Sequence, residues 1–265
     1  MPALWDALDS ATRVAEANLP AGKDPNEWWL TMGHTAQVPL QVASLRSLVE
    51  DKEASKDQAA GDTICEIGFN AGHSAVAWLE ATHARLVEFD LLGLPYSHAS
   101  RAFVEQRYPK RATFHVGDSK TSVRSYAQAV LNGTASACDI WLVDGDHGIG
   151  AKVDLFNALA SSHAGTMIVA DDASLLFPYV RKFWRVHVGI GSIKERGCVS
   201  TRIRHGVEKT WCIGTVASWA VGEAAWTAVH AKFIALHALS RAERNRAYFA
   251  NTNRHARRPS YESQR

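Results

Sequence analysis

Five short apolar runs recur through the middle of the chain, at Thr63–Ile67, Arg85–Phe89, Ala112–Val116, Asp139–Val143 and Thr166–Ala170. Between them apolar residues return every three or four positions, over His73–Thr82, Ser97–Arg107, Ser122–Leu131 and Gly150–Ser161. Short β-type runs separated by helical patterns predict βαβ units and a parallel sheet. Right-handed crossovers then make the α/β body doubly wound. The pattern changes after Asp172. Pro178–Val188 predicts a helix with proline in its first turn. Cys198–Arg204 and Lys209–Val216 flank His205-Gly206-Val207 and predict a hairpin. The expected fold is a seven-stranded, mostly parallel sheet that ends in an antiparallel pair.

The flanks are helical. Leu4, Leu8, Ala11 and Ala15 form one stripe, and a Pro/Gly-containing break follows at Leu19–Asn26. A second helix is expected over Val38–Lys52, then a polar connector over Ser55–Asp62. Ser218–Tyr248 predicts a long helix whose Trp219, Trp226, Val229, Phe233 and Leu236 form one stripe, expected to pack on the body, with an oligomer contact or an active-site cover as the rival reading. This divides the chain into an N-terminal helical cap (1–54), a central domain (55–217) and a C-terminal helix with a tail (218–265).

Hydrophobic content of 46% and charged content of 21% suit a soluble globular chain. The net charge is +2, yet from Arg241 onward seven Arg stand against two Glu, which leaves −3 for the rest. A mildly acidic body does not suggest a nucleic-acid groove. The basic tail is expected to be a solvated end, with a docking patch as the rival reading. No apolar run approaches the ~20 residues of a membrane span, and the N-terminus lacks the features of a secretory signal. Cys65, Cys138, Cys198 and Cys212 show no C-x-x-C spacing. They are expected to be free thiols in a reducing compartment, and a cytoplasmic location follows from that.

The chemistry sits at the strand ends. The first strand runs into Glu66-x-Gly68-x-Asn70-x-Gly72-x-Ser74 and then a helix. A strand, a glycine turn and a helix start are how α/β proteins build a nucleotide-sized site. Asn70 stands where a dinucleotide fingerprint would place its second close glycine, which argues against a nicotinamide dehydrogenase. The second strand ends in Asp90, an acid suited to accept hydrogen bonds from ribose hydroxyls. The third ends in Asp118 and Ser119, within reach of an adenine amino group. The fourth runs into Asp144-Gly-Asp-His147 and the fifth into Asp171-Asp172. Acids crowded on one sheet edge repel unless something positive sits between them. Asp144, Asp171 and Asp172 therefore suggest a hard divalent cation, Mg²⁺ ahead of Ca²⁺ or Mn²⁺. They could instead cap helices or hold a cofactor without metal. An imidazole such as His147 beside them is suited to take a proton at neutral pH.

On these residues the chain resembles the class I S-adenosylmethionine-dependent methyltransferases. More narrowly, it resembles the cation-dependent O-methyltransferases of the catechol, caffeoyl-CoA and sugar-modifying types. The resemblance implies that Glu66, Gly68, Asn70, Gly72, Ser74, Asp90, Asp118, Ser119 and Asp144 bind S-adenosylmethionine. It implies that Asp144, Asp171 and Asp172 bind metal and that His147 is the general base. The expected reaction is methyl transfer to a hydroxyl of a small molecule, without nucleic acid or membrane as partner; a homodimer is compatible with it. A metal-independent N- or O-methyltransferase and a non-catalytic cofactor-binding protein are the alternatives. Trp28, Trp29, Phe177, Tyr179 and Trp184 could line an acceptor pocket, with core packing as the other reading. The basic side chains Arg181, Lys182 and Arg185 would favour an anionic acceptor or form a solvated face.

Overall fold

The computed structural model describes residues 2–17, 35, 38–53, 62–202, 208–220, 227–229, 231–232 and 235. Helices α1 (Pro2–Ala17) and α2 (Pro39–Glu53) precede the sheet. The alternating body follows as β1 (Thr63–Ile67), α3 (His73–Ala81), β2 (Arg85–Asp90), α4 (Ser97–Arg107), β3 (Ala112–Val116), α5 (Ser119–Leu131), β4 (Cys138–Val143), α6 (Ala151–Ala160) and β5 (Ser162–Ala170). Helix α7 (Pro178–Ile190) leads into β6 (Ile193–Arg202) and β7 (Glu208–Val216), and a 3₁₀ turn covers Ser218–Ala220. The sheet order is β3-β2-β1-β4-β5-β7-β6, with β1 to β5 parallel and β7 antiparallel to both β5 and β6. The expected doubly wound sheet with a terminal antiparallel pair is the one observed. The residues of the hairpin turn itself, most of the C-terminal helix and the tail lie outside the described residues.

Both faces of the sheet are covered, so the strands are apolar on both sides, as parallel strands must be. Period-two alternation then sorts their side chains into two layers. Cys65, Ile67, Phe89, Trp141 and Val143 pack with α5, α6 and α7 residues such as Tyr126, Leu155 and Trp184. Ile64, Leu86, Ile140, Leu142 and Val169 pack with Leu45 and Val49 of α2 and Trp78 of α3. At roughly 25 cal/mol per Å² of apolar area removed from water, these layers supply the main driving force for folding.

One expectation is corrected here. Cys65 is bonded to Cys138 and Cys198 to Cys212, so no cysteine is free. Cys65 and Cys138 lie on the neighbouring strands β1 and β4 and enter the same core layer. Cys198 and Cys212 stand directly opposite one another in the β6–β7 ladder. Strand register makes these pairings, and spacing along the chain does not reveal it. The cysteine argument for a cytoplasmic location falls with the free thiols. Among the described residues, no helix is long and apolar enough to cross a membrane.

Parallel register brings the carboxyl ends of the strands to one edge. Ile67 pairs with Phe89 and with Val143, and Val143 pairs with Ala170. Strand order reverses at β1, between β2 and β4, and this is where such sheets open a crevice. Gly68 sits at that point with φ +99°, and a Cβ there would collide with the backbone carbonyl of Asp144. Gly93 is a control nearby, since a Cβ there would meet nothing within 4 Å. Gly68→Ala should cost about 2–4 kcal/mol of unfolding free energy, and Gly93→Ala no more than about 0.5 kcal/mol. Urea denaturation of both variants measures the difference, and equal effects would contradict this account of the loop.

Candidate active site

The strand edge opens into a cleft of about 520 Å³. Its walls include Gly68 and Asn70 after β1, Asp90 at the end of β2, and Gly117, Asp118 and Ser119 after β3. Asp144, Asp146, His147 and Asp172 close the other side. The volume falls in the range of small-molecule and cofactor sites, roughly 300–1,000 Å³.

The expected cofactor residues divide into two groups. Gly68, Asn70, Asp90, Asp118, Ser119 and Asp144 reach the cleft, while Glu66, Gly72 and Ser74 lie behind the loop. Asp90 organises that loop. One carboxylate oxygen accepts from the backbone N–H of Phe69 at 2.8 Å and of Asn70 at 3.3 Å, and the other accepts from Leu92 at 2.5 Å. Asn70 is left-handed at φ 50°, and its Oδ1 accepts from the Tyr96 hydroxyl. Asp118 caps α5 by accepting from the Lys120 N–H. The Ser119 hydroxyl donates to buried Asp154 at 2.7 Å.

Behind the loop, Ser74 donates to Glu66. Glu66 stands beside Glu88 in the β1–β2 register, and both are buried. Burial pushes Glu66 up to about 8, although the Ser74 hydrogen bond pulls it down. Burial, and then the charge of Glu66, raise Glu88 well above the carboxylate range. Both carboxyls thus hold their protons more tightly than ordinary carboxyls do, and Ser74 links Glu66 to the helix that follows the loop.

The other wall is a charge cluster. Lys209, at the start of antiparallel β7, places Nζ 2.8 Å from Asp171 and 3.0 Å from Asp172. Gln41 of α2 donates to Asp171 at 2.8 Å. Burial works against the Lys209 ammonium, but the charges of Asp171, Asp144 and Asp172 outweigh it and raise its pKa. His147 Nε2 lies 3.2 Å from Asp172 and 3.4 Å from Asp144. Burial disfavours the imidazolium, but hydrogen bonds and charge from the two acids prevail and push His147 up to about 10. Burial would raise Asp172, and His147 and Lys209 instead hold it below the ordinary carboxylate range.

The structure thus gathers Asp144, His147 and Asp172 and turns Asp171 away toward Lys209 and Gln41. One ligand atom from each of the first three lies within 4.8 Å of the other two, a donor set that fits one divalent cation. The positive group that the crowded acids demand is present within the chain itself. Lys209 and Gln41 were not among the residues singled out from sequence. A signal existed for Lys209, because a strand added antiparallel beside β5 must begin at this rim.

The aromatic residues also divide. Trp184 is core, and Tyr179 is exposed. The Phe177 ring packs against His147 with centroids 4.5 Å apart. Trp28 and Trp29 lie outside the described residues.

His147 carries a pH dependence with a defined sign. Its folded pKa is raised, so its contribution to stability is complete below the unfolded value of about 6.5 and is lost as pH rises through about 10. The stability gap between the unmodified chain and His147→Ala should be widest near about pH 6 and close by about pH 11. Chemical denaturation across that range measures it, and a gap that widens with pH would contradict the imidazolium.

Residues 65–173 match a family model described as a methyltransferase domain. No curated protein matches the sequence. The fold is similar to an O-methyltransferase from Bacillus cereus solved with SAH, at TM-score 0.58 and 18% identity, over 79% of this chain and 90% of that one. It is also similar to TomG from Streptomyces achromogenes, an O-methyltransferase involved in tomaymycin synthesis and solved with SAM. That match has TM-score 0.56 and 18% identity, over 80% of this chain and 89% of that one. Residues 65–173 thus match a methyltransferase-domain model, and the chain has the Rossmann-like fold of the solved O-methyltransferases.

Proposed function

We propose that the chain transfers a methyl group from S-adenosylmethionine to a hydroxyl of a small molecule. The observation that carries this reading is the convergence of Asp144, His147 and Asp172 on the wall of the same cleft that Gly68, Asn70 and Asp90 line. The cofactor fits the β1 side. Its ribose would meet the rim at Asp90, its adenine the turn at Gly117–Ser119, and its methionine part the loop from Gly68 to Asn70. The methyl group would then face the charge cluster.

Methyl transfer is an in-line displacement, so much of the acceleration comes from holding acceptor oxygen, methyl and sulfur in a row. His147 is the proton acceptor in this scheme. Alone between two acids it already holds its proton, and the acids that orient it also suppress its basicity. The base role therefore needs a second positive charge at Asp144 and Asp172. Asp144 and Asp172 would hold a divalent cation beside the imidazole, which would favour the neutral form of His147 and lower the pKa of an acceptor hydroxyl. Phe177 against the imidazole limits its rotation and keeps Nε2 toward the cleft.

One observation favours a second reading, metal-independent transfer. Lys209 already neutralises part of the acid cluster, so the fold does not need a cation to tolerate it.

The two readings separate in one assay. With labelled S-adenosylmethionine and a panel of polyphenols and sugars, chelator should abolish transfer and Mg²⁺ or Mn²⁺ should restore it. Asp172→Ala should lower kcat about a hundredfold or more and remove the metal response, while cofactor affinity changes little. Full activity in chelator would leave the methyltransferase reading standing and remove the cation from it.

A further inference from the structure

The β6–β7 hairpin carries a cluster of metal-ligating side chains outside the cleft. Cys198 and Cys212 face one another across the ladder. A bulge between Glu195 and Gly197 inserts one extra residue, Arg196, into β6. The insertion reverses the strand's alternation, so Glu195 and Cys198 come to the same face. There Glu195 Oε2 lies 3.6 Å from Cys198 Sγ. The same oxygen accepts a hydrogen bond from Trp184 Nε1 at 2.6 Å, and both of those residues are buried. One ligand atom from each of Glu195, Cys198 and Cys212 lies within 4.8 Å of the other two. Glu195 and Cys212 are buried, whereas Cys198 is exposed.

We propose that, once the Cys198–Cys212 disulfide is reduced, Glu195, Cys198 and Cys212 bind a thiophilic divalent cation of the zinc class. Two thiolates and a carboxylate are a donor set that selects such a metal over Mg²⁺ or Ca²⁺. Zinc–thiolate and zinc–carboxylate bonds of ~2.3 and ~2.0–2.2 Å make a sulfur–oxygen tetrahedral edge of ~3.5 Å. The Glu195–Cys198 separation already has that length. The two sulfurs would have to part to ~3.8 Å. Breaking their bond and turning the exposed Cys198 side chain supplies that room. The Trp184 N–H would hold the carboxylate in place, as outer partners of metal ligands do. Water would take the fourth position, on the open Cys198 side.

The chemistry balances. A dithiol or phosphine reductant gives two electrons to the S–S bond, and two protons complete the thiols. Metal binding then releases both thiol protons. The second pair provides an internal comparison. Cys65 and Cys138 are fully buried, and among the described residues no carboxylate or imidazole completes a three-ligand group with them.

The test uses the full chain, reduced with a phosphine that does not compete for metal, and Co²⁺ as a spectroscopic probe. Reduced protein should take up one equivalent of Co²⁺ more than oxidised protein, that equivalent showing tetrahedral visible bands and a thiolate-to-metal charge-transfer band, and Zn²⁺ should displace it. Cys198→Ser should lose the charge-transfer intensity due to that sulfur. Glu195→Gln should keep the band and weaken affinity roughly tenfold or more. Oxidised protein should show no band. Alkylation of the unmodified reduced chain checks the site without any variant, because Zn²⁺ should slow modification of Cys198. Absence of the band, an identical band in Cys198→Ser, or Cys198 alkylation indifferent to Zn²⁺ would overturn the proposal.

Discussion

The Lys209 ammonium between Asp171 and Asp172 is the interaction on which the rest of the site depends. Parallel register brings the ends of β4 and β5 together, and each end carries acids. Three carboxylates in a partly buried edge would repel one another and lose hydration. A single cation from the antiparallel strand offsets part of both costs, while burial still pushes Asp171 up to about 7. Breaking such a buried arrangement by removing one partner is worth about 3–5 kcal/mol. The antiparallel direction of β7 is therefore electrostatically important. A parallel strand in that place would deliver its last residues to this rim, and Lys209 would lie at the far end.

The same cluster sets the protonation of His147. Asp144 and Asp172 hold its imidazole at 3.4 and 3.2 Å and keep it charged. The site therefore stores a proton beside the cleft, and the base role proposed for His147 would need added positive charge to release it. Across the cleft the design is the reverse. The Glu66–Glu88 pair is buried with both carboxyls raised above their ordinary range, and it supports the glycine loop through Ser74. Asp90 secures the loop from the front by accepting from two of its backbone N–H groups, Phe69 and Asn70, and accepts a third from Leu92 in its own turn. One side is a hydrogen-bonded cradle and the other a set of partly compensated charges.

Much of this was legible in the sequence, because period-two and period-3.6 patterns report burial directly. Thr63–Ile67, Ala112–Val116 and Ser97–Arg107 have the bounds that their apolar patterns gave. β5 begins at Ser162, four residues before its apolar run, because Ser162 still pairs with Cys138 of β4 ahead of a register shift. The acids at the strand ends were legible because a parallel sheet collects carboxyl ends on one edge. Their division of labour was not. Whether Asp171 or His147 completes a group with Asp144 and Asp172 depends on where Lys209 and Gln41 point, and both arrive from elements remote in sequence. The disulfides were missed for a related reason, since Cys198 and Cys212 are joined by register across a hairpin. Glu66 sits inside a recognisable motif, yet its side chain turns behind the loop and away from the cleft.

The central claim is that the cleft between the glycine loop and the charge cluster is a cofactor site. Calorimetric titration of S-adenosylhomocysteine into the full chain tests it most directly. Saturable one-to-one binding is expected, abolished when Gly68→Ala closes the loop against Asp144. Absence of saturable binding to the folded chain, or binding that Gly68→Ala leaves unchanged, would contradict it.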